Sequence, residues 1–328
     1  MKLRRIGSAV AGAVALALVV TGCSSSTPQT TASSIASAAS SVASAGQSVA
    51  SAAQSAAGSA LSSAKSSVAG AVSSAVAGAV ADSQVLTHAG DGKVTVGIKF
   101  DQPGLGLKNP DGTFSGFDVE VAKYVADQLG VKPDGITFVE SKSAEREGLI
   151  ERGEVDYIVA TYSITDARKE KVNFAGPYFI AAQDLLVKSD NTEITGPEAM
   201  AGKILCSVTG STSAQKVKDN YAADVALQEY GTYTECVEAL RSGAVDAVTT
   251  DNVILAGYAA QYPGELKVVG KGFSVENYGI GLKKGDTAGT AKINAAIASM
   301  IASGAWRQAL DDTVGSDFNV TVTPTPTS

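Results

Sequence analysis

Two nine-residue segments of this chain resemble each other and constrain how its 328 residues can fold. Residues 153–161 read GEVDYIVAT and residues 243–251 read GAVDAVTTD. In both, β-branched residues follow a Gly and an acidic residue, which predicts a short buried strand. Because each segment follows a helical pattern, the sequence predicts two similar lobes in which strands alternate with helices, an α/β fold.

Strand and helix patterns alternate from residue 93 onward. They predict strands at 94–100, 136–139, 155–161, 204–208, 225–227, 245–250 and 278–282, and helices at 117–129, 143–152, 214–221, 235–242 and 287–303. The last strand and helix are expected to return to the first lobe. The chain would then cross between lobes near 178–182 and 276–280, which would form a hinge. The expected boundaries are 84–180 with 278–315 for lobe one, and 181–277 for lobe two.

The N-terminal 83 residues have a different character. Residues 1–22 combine a basic start, an apolar run and a small residue before Cys23, the pattern of a lipoprotein signal peptide cleaved ahead of a lipid-modified Cys. An ordinary signal peptide or a short anchor helix is the alternative. Of the 50 residues at 32–81, 35 are Ser or Ala. Such a segment cannot bury enough apolar surface to fold alone, so we expect a flexible or partly helical stalk at 23–83, and a Thr/Pro tail at 316–328.

Charge and rare residue types argue against several functions. Without residues 1–22 the chain has 23 basic and 33 acidic side chains, which disfavours nucleic acid or an anionic lipid surface as a partner. The single His, His88, adjoins the Ser/Ala-rich stretch, so we expect no His-dependent catalysis, no metal site and no cofactor. If Cys23 carries lipid, Cys206 and Cys236 remain as a pair in an oxidising compartment. They predict a disulfide, with two free thiols as the alternative.

Two predicted helix starts carry an Arg in the first turn. Ser143 and Thr165 occupy the capping positions, and Arg146 and Arg168 follow three residues later. Because this turn already has a positive dipole, an Arg there costs up to about 1 kcal/mol unless an anion lies nearby. The guanidinium can hold a carboxylate through two parallel hydrogen bonds. The pair therefore predicts carboxylate recognition, although either Arg alone fits an ordinary solvated side chain.

Polar groups also stand at predicted strand ends. Lys99 lies near the end of the first strand, opposite its apolar face, where ligand clefts of open α/β sheets occur. Residues 208–213 form a strand-to-helix turn rich in hydroxyls and amides, but they lack the Gly-Lys-Ser/Thr of a phosphate-binding loop. Asp251 could accept bonds from an ammonium group or cap the following helix, and the cap is the favoured interpretation from local sequence.

Several stretches together resemble the family 3 extracytoplasmic solute-binding proteins of ABC transporters, and more closely the glutamate-binding branch. They are 101–107 (DQPGLGL), 160–168 (ATYSITDAR), 174–178 (FAGPY), 206–212 (CSVTGST) and 245–252 (VDAVTTDN). The resemblance covers roughly 93–310. It implies a two-lobed, periplasmic-binding-protein-like (type II) clamshell with two hinge crossings that closes on a free amino acid.

The resemblance also assigns the ligand contacts. Those expected around the α-amino-acid group are Thr161, Ser163, Arg168, Ser211, Thr212 and Asp251. Arg168 would grip the α-carboxylate, and Asp251 would receive the α-ammonium. The ligand side chain would meet Lys99, Ser143, Arg146 and Tyr233. This favours L-glutamate or L-aspartate over glutamine, because a buried second carboxylate needs a positive partner.

The expected function is a lipid-anchored, monomeric receptor on the outer face of the cell membrane that feeds an ABC permease. A sensor that signals acidic amino-acid availability to a membrane partner is the alternative, and a glutamine binder is the third possibility. Enzymatic activity is not expected, because the proposed cleft offers no His or Cys as base or nucleophile.

Overall fold

The computed structural model describes Gly78 and residues 82–315. The predicted signal peptide at 1–22, Cys23, the tail at 316–328 and nearly all of the predicted stalk lie outside the described residues. Within 82–315, no helix has both the length and the apolarity that crossing a bilayer requires.

The helices and strands alternate along the described chain. The helices are α1 (Gln84–Gly90), α2 (Phe117–Gln128), α3 (Arg146–Glu151), α4 (Asp166–Lys169), α5 (Ser213–Asn220), α6 (Tyr233–Ser242), α7 (Asn252–Gln261), α8 (Thr287–Ala302) and α9 (Ala305–Thr313). The strands are β1 (Val94–Ile98), β2 (Asp101–Gln102), β3 (Gly106–Lys108), β4 (Phe114–Ser115), β5 (Ile136–Glu140), β6 (Tyr157–Ile158), β7 (Val172–Ala181), β8 (Gln183–Lys188), β9 (Ile204–Val208), β10 (Ala226–Tyr230), β11 (Ala247–Asp251), β12 (Leu266–Val268) and β13 (Glu276–Lys283). Two 3₁₀ turns lie at Pro133–Gly135 and Pro197–Met200.

Two five-stranded sheets repeat one plan. Lobe one is built on the order β5-β1-β6-β13-β7, and lobe two on the order β10-β9-β11-β8-β12. In each sheet the first three strands run parallel, and the last two pair antiparallel to their neighbours. The similar segments 153–161 and 243–251 contain β6 and β11, the middle strands of the two sheets. The α/β, two-lobed fold class predicted from sequence is confirmed.

Paired strands join the lobes. The chain leaves sheet one after β7, enters sheet two at β8, and returns through β13. β7 and β13 pair antiparallel, with Ile180 opposite Asn277 and Phe179 opposite Tyr278. The two strands therefore carry the crossings between the sheets, near the predicted 178–182 and 276–280, and are called the hinge strands below.

Apolar packing holds the C-terminal helices on lobe one, as the sequence predicted. α8 packs on β7 and α2, and α9 packs on both helices. The rings of Phe117 and Trp306 meet edge to face at 5.8 Å, and the indole Nε1 of Trp306 donates to the carbonyl of Tyr178 at 2.8 Å. Burial of each large apolar side chain contributes about 1.5–3 kcal/mol, so these helices are part of the lobe-one core.

Lobe two carries a covalent link. Cys206 on β9 and Cys236 on α6 form a disulfide, with Cα atoms 5.7 Å apart. Both Cys are fully buried in an apolar cluster that includes Val237, Leu240 and Val248.

The single His has a structural contact at the start of the folded region. The Nδ1 atom of His88 on α1 lies 2.7 Å from Oδ1 of Asp156. The other carboxylate oxygen of Asp156 accepts the backbone N–H of Thr95 at 2.7 Å. Ser83 also donates to Asp286 at 2.7 Å. These contacts fasten α1 to the ends of β1 and α8.

Some predicted boundaries differ from the structure. The helix predicted from residue 143 begins at Arg146, and the strand predicted at 155–161 is limited to Tyr157–Ile158. In lobe two, α6 begins two residues earlier than predicted, because Thr232 and Glu235 form a capping box. The first strand ends at Ile98 rather than at Phe100, which places Lys99 in the connection that follows it.

Candidate functional site

A small polar cavity of about 20 Å³ lies between the lobes. Its lining residues are Ser143, Thr161, Ser163, Arg168, Ser211, Thr212, Ser213, Tyr233, Thr250, Asp251 and Ile254. All but Ile254 carry a polar side chain. A volume of this size is about what one water molecule occupies, so the cleft is nearly shut around its polar lining. Eight of the ten side chains predicted from sequence line it, whereas Lys99 and Arg146 lie behind Ser143.

Arg168 crosses the cleft from lobe one. Its helix α4 is capped by Thr165, whose Oγ1 accepts the backbone N–H of Arg168 at 3.3 Å, as predicted. Nη1 donates to the carbonyl of Ser163 at 2.8 Å, and Nη2 donates to the carbonyl of Gly210 in lobe two at 3.1 Å. Nε lies 3.5 Å from Oε1 of Glu147. The guanidinium is therefore held by both lobes and is only partly neutralised.

Arg146 is buried and forms no ion pair with any carboxylate in the part of the chain that the structure describes. The residue is 2% exposed, and its nitrogens donate to the carbonyls of Ser143 at 3.3 Å and Ala160 at 3.2 Å. Its guanidinium lies 4.1 Å from the centre of the Tyr162 ring. Within residues 82–315 no Asp or Glu oxygen forms an ion pair with it. Burial, and then the charge of Arg168, lower the pKa of Arg146 to about 10, as expected for a cation short of negative partners.

Lys99 adds a third buried cation at the same place. Its Nζ donates to Oγ of Ser143 at 2.8 Å. Burial, followed by the charge of Arg146, lowers the pKa of Lys99 to about 7. The prediction that Ser143 caps α3 is wrong, since α3 begins at Arg146 without a side-chain cap. Ser143 instead connects the ammonium group of Lys99 to the cavity wall.

Asp251 supplies the negative charge of lobe two. The interpretation of this residue as a helix cap is wrong, because its side chain makes no capping bond to α7. Its Oδ2 instead accepts the hydroxyl of Tyr278, from the hinge strand β13, at 2.5 Å. Burial, and then the charge of Glu276, raise the pKa of Asp251 to about 7. A ligand ammonium group would favour its charged form.

The turn after β9 brings hydroxyl groups to the cavity. Tyr233 donates to Oγ of Ser211 at 3.2 Å, and this oxygen also accepts the backbone N–H of Ser213 at 3.2 Å. Gly210 has φ of +80°, and a Cβ there would lie 2.6 Å from Cα of Ala144 in lobe one. The close approach of two backbones therefore requires Gly at this position, and the clamshell is in a closed arrangement.

Thr161 has a backbone conformation that is rare for a non-Gly residue. Its φ is +44°. Such a conformation costs of order 1–3 kcal/mol, which contacts with the surrounding structure must offset. Its N–H donates to Oδ2 of Asp118 at 2.9 Å, and its hydroxyl donates to Oε1 of Gln102 at 3.2 Å. Asp118 also accepts the hydroxyl of Tyr178 at 2.7 Å. The cavity wall at Thr161 is therefore fixed from behind by buried polar groups.

Sequence reasoning missed Asp118, Tyr162, Ser213, Thr250 and Tyr278. Thr250 precedes Asp251 at the end of β11, and Ser213 closes the turn 208–213 that the sequence had already indicated, so both adjoin predicted residues. Asp118 resembles an ordinary acidic residue in the first turn of α2. Tyr162 and Tyr278 match the apolar pattern of their segments. Their contacts to the site come from distant parts of the chain and leave no local signal.

The geometry suits a ligand with separated charges. Arg146, Arg168 and Lys99 bring positive charge from lobe one, and Asp251 brings negative charge from lobe two. Such a site can orient a small molecule that carries an ammonium group and more than one anionic group.

Comparison with known proteins relates the chain to amino-acid-binding proteins. Residues 94–315 match the model of the bacterial extracellular solute-binding proteins, family 3. A glutamate-binding protein of Corynebacterium glutamicum is 50% identical over 276 residues, which cover 77% of this chain and 93% of that protein. An ABC transporter glutamine-binding protein of Bacillus subtilis is 38% identical over 215 residues, which cover 65% of this chain and 78% of that protein.

A solved structure supports the two-lobed architecture. An ancestral arginine-binding protein bound to glutamine has a TM-score of 0.64 and 36% identity, and the match covers 69% of this chain and 99% of that chain. The relatives therefore differ in the amino acids named for them, while the strand plan is shared.

Proposed function

Because the chain belongs to family 3 of the bacterial extracellular solute-binding proteins, we propose that it captures L-glutamate or L-aspartate by lobe closure and delivers it to the permease of an ABC importer. The observation that carries the choice of ligand is the surplus of buried positive charge. Arg146 has carbonyl and ring partners only, and Lys99 has a hydroxyl partner. A second carboxylate in the cavity would compensate both cations, whereas a neutral amide would not.

The common amino-acid group would bind across both lobes. Arg168 would hold the α-carboxylate, assisted by the amides of Ser163 and Thr212 and the hydroxyl of Ser211. Asp251 and the carbonyl of Thr161 would receive the α-ammonium. Since these groups belong to different lobes, a bound amino acid would stabilise the closed form more than the open form.

The side-chain carboxylate would lie against Ser143. Arg146 and Lys99 stand directly behind that residue, so their charges would act on the carboxylate at short range. Tyr233 would add a hydroxyl from lobe two. The 50% identity to a glutamate-binding protein supports this ligand class, and the pocket chemistry extends it to aspartate, which carries the same charges.

Glutamine is a second candidate ligand. The relative from Bacillus subtilis is a glutamine-binding protein, and the ancestral structure contains glutamine. In that case Ser143 and Tyr233 would bind the ligand amide, and Arg146 would stay paired with carbonyls. The two candidates differ in the role that they give to the charge of Arg146.

Titration calorimetry of the mature chain with glutamate, aspartate, glutamine and asparagine separates them. We expect glutamate or aspartate to bind most tightly, and Arg146→Gln to weaken their binding by about tenfold or more while changing glutamine affinity little. Arg152→Gln is the matched control, because Arg152 is exposed at the end of α3 and pairs with Glu154. Tight glutamine binding without any response to glutamate would contradict the proposal.

The remaining features of the proposal concern the cell envelope. The chain would be a monomer anchored to the outer face of the cell membrane by lipid on Cys23, with a stalk at 23–83, lobe one at 84–180 and 278–315, and lobe two at 181–277. Replacing Cys23 by Ser should release the protein into the medium. Deletion of the gene should abolish uptake of the ligand, whereas lost regulation with normal uptake would favour the sensor alternative.

A further inference from the structure

A segment of lobe one contacts two helices of lobe two outside the ligand cavity. Oδ2 of Asp101 accepts the backbone N–H groups of Tyr233 at 2.9 Å and Thr234 at 3.4 Å. The hydroxyl of Tyr258 on α7 donates to the carbonyl of Asp101 at 2.5 Å and lies 3.2 Å from its Oδ2. Asp101 therefore meets the N-terminus of α6 and the side of α7 together.

The contact with α6 joins a carboxylate to the positive end of a helix. The capping box of α6 uses the Thr232 hydroxyl for the N–H of Glu235, and the Glu235 carboxylate for the N–H of Thr232. The N–H groups of Tyr233 and Thr234 remain for an outside acceptor, as first-turn amides do. Asp101 provides it from the other lobe, where a negative charge is favourable.

A close backbone approach accompanies this contact. A Cβ on Gly257 of α7 would lie 2.4 Å from the carbonyl oxygen of Pro103. Gly257 is inside a helix, where Ala is normally the better residue. Gly is required here because the segment after Asp101 lies against α7, so that backbones of the two lobes meet in this closed arrangement.

We infer that Asp101 and Gly257 form a latch between the lobes that sets the free energy of closure, and so changes the affinity for every ligand by one common factor. The inference rests on the proposed function only in that a ligand binds between the lobes. When a ligand requires the closed form, its apparent Kd is the intrinsic Kd divided by the closed fraction. A weaker latch lowers that fraction, and a change at Gly257 does so without replacing a residue that lines the cavity.

The two latch residues give variants with different side effects. Asp101 also lies near Lys99 and favours the charged form of its ammonium group. Asp101→Ala therefore removes a charge that would also affect the binding of glutamate. Gly257→Ala changes no charge and leaves the cavity lining intact. A common effect of both variants on neutral and anionic ligands therefore isolates closure from ligand contacts.

The test measures affinity, stability and shape of the mature chain. Calorimetry with glutamate, aspartate, glutamine and arginine should show that Gly257→Ala raises the Kd of each binding probe by the same factor, about tenfold or more, with no fall in the melting temperature of the unliganded protein. Asp101→Ala should weaken binding by up to about tenfold. Small-angle scattering at subsaturating ligand should show a larger mean radius for both variants than for the parent chain.

Gly90→Ala is the matched control, because Gly90 ends α1 and a Cβ there meets nothing within 4 Å. It should change neither affinity nor radius. Three results for Gly257→Ala would overturn the latch. They are affinities within twofold of the parent chain, a loss of affinity for one probe only, and an unchanged mean radius. If glutamine alone binds and Gly257→Ala weakens it, the acidic-ligand proposal fails and the latch stands.

Discussion

The two lobes share a strand plan but bring opposite charges to the cleft. The third strand of each sheet, β6 or β11, leads to a site residue. Thr161 lies three residues after the end of β6, and Asp251 is the last residue of β11. The equivalent strands β1 and β9 are followed by Lys99 and by the turn that contains Ser211. Lobe one thus supplies three buried cations around these ends, and lobe two supplies Asp251 and hydroxyl groups.

This difference shows that topology and charge act separately. The repeated sheet order determines where ligand-binding groups can stand, because the ends of β1, β6, β9 and β11 meet at the cleft. The side chains at those ends determine which way a ligand dipole points. An acidic amino acid would direct its carboxylates toward lobe one and its ammonium group toward Asp251, and closure would join the unlike charges of the two lobes.

The largest expected loss comes from removing the cation that touches both lobes. Arg168→Ala should weaken binding of every amino acid by more than about 100-fold, because the α-carboxylate would lose a charge-assisted, two-bonded partner in a buried site. The same change removes the bond to the carbonyl of Gly210. Calorimetry with glutamate and glutamine measures the effect.

Lys169→Ala is the control for this change, since Lys169 is the exposed neighbour of Arg168 and pairs with Asp166. It should leave both affinities within twofold. An Arg168→Ala protein that lost glutamate binding but kept glutamine binding would show that Arg168 recognises the ligand side chain instead of the α-carboxylate.

The next largest effect concerns the charge of lobe two. Asp251→Asn should weaken amino acids with a free α-ammonium by about ten- to 100-fold, because the ion pair with the ammonium group is lost. The Asp251→Asn protein should bind lactams or N-acetylated analogues, which lack that charge, at least as tightly as the parent chain does. Equal affinity of parent and Asp251→Asn proteins for glutamate would place the ammonium elsewhere.

The same variant should change the pH dependence of stability without ligand. The folded pKa of Asp251, about 7, lies above its ordinary value of 3.8, so the folded state binds more protons between those values and its stability falls as pH rises through them. Lys99 has the opposite sign: its folded pKa of about 7 lies below 10.5, so stability rises from pH 7 upward. Thermal unfolding should therefore show a shallow minimum of stability near pH 7. Asp251→Asn should reduce the fall in stability on the acidic side of that minimum.

Local patterns predicted the order of strands and helices and one cap, and they failed where contacts come from far along the chain. Thr165 caps the helix of Arg168 as its sequence position predicts. Ser143 has the same local pattern, yet its hydroxyl binds Lys99, 44 residues away. The two helix starts share one pattern, a hydroxyl residue followed three residues later by Arg, and only tertiary packing distinguishes their roles.

The roles of the buried carboxylates depended on tertiary structure in the same way. Asp251 has the sequence position of a helix cap, but the hydroxyl of Tyr278 from the hinge strand holds its side chain. Asp118 has the sequence of a solvated first-turn residue, but it fixes the backbone of Thr161. A buried carboxylate takes whichever donor the fold brings within reach, and that donor is not encoded in neighbouring residues.

The smallest expected effect on binding comes from the covalent difference between the lobes. The disulfide Cys206–Cys236 closes a sequence separation of 30 residues in lobe two, whereas lobe one contains no Cys and relies on packing such as that of Phe117 and Trp306. Replacing both Cys by Ala should lower the free energy of unfolding by about 3–4 kcal/mol. Ligand affinity at 25 °C should stay within twofold, because neither Cys lines the cavity.

Scanning calorimetry with and without a reducing agent measures this difference. The double Ala variant and the reduced parent chain should lose the same stability, and the variant should no longer respond to reduction. Since the link ties β9 to α6, whose first turn carries Tyr233 and receives Asp101, a large fall in affinity would mean that the disulfide also positions the N-terminus of α6. An unchanged affinity would mean that the capping box and the packing of lobe two hold that turn, and that the covalent link serves stability alone.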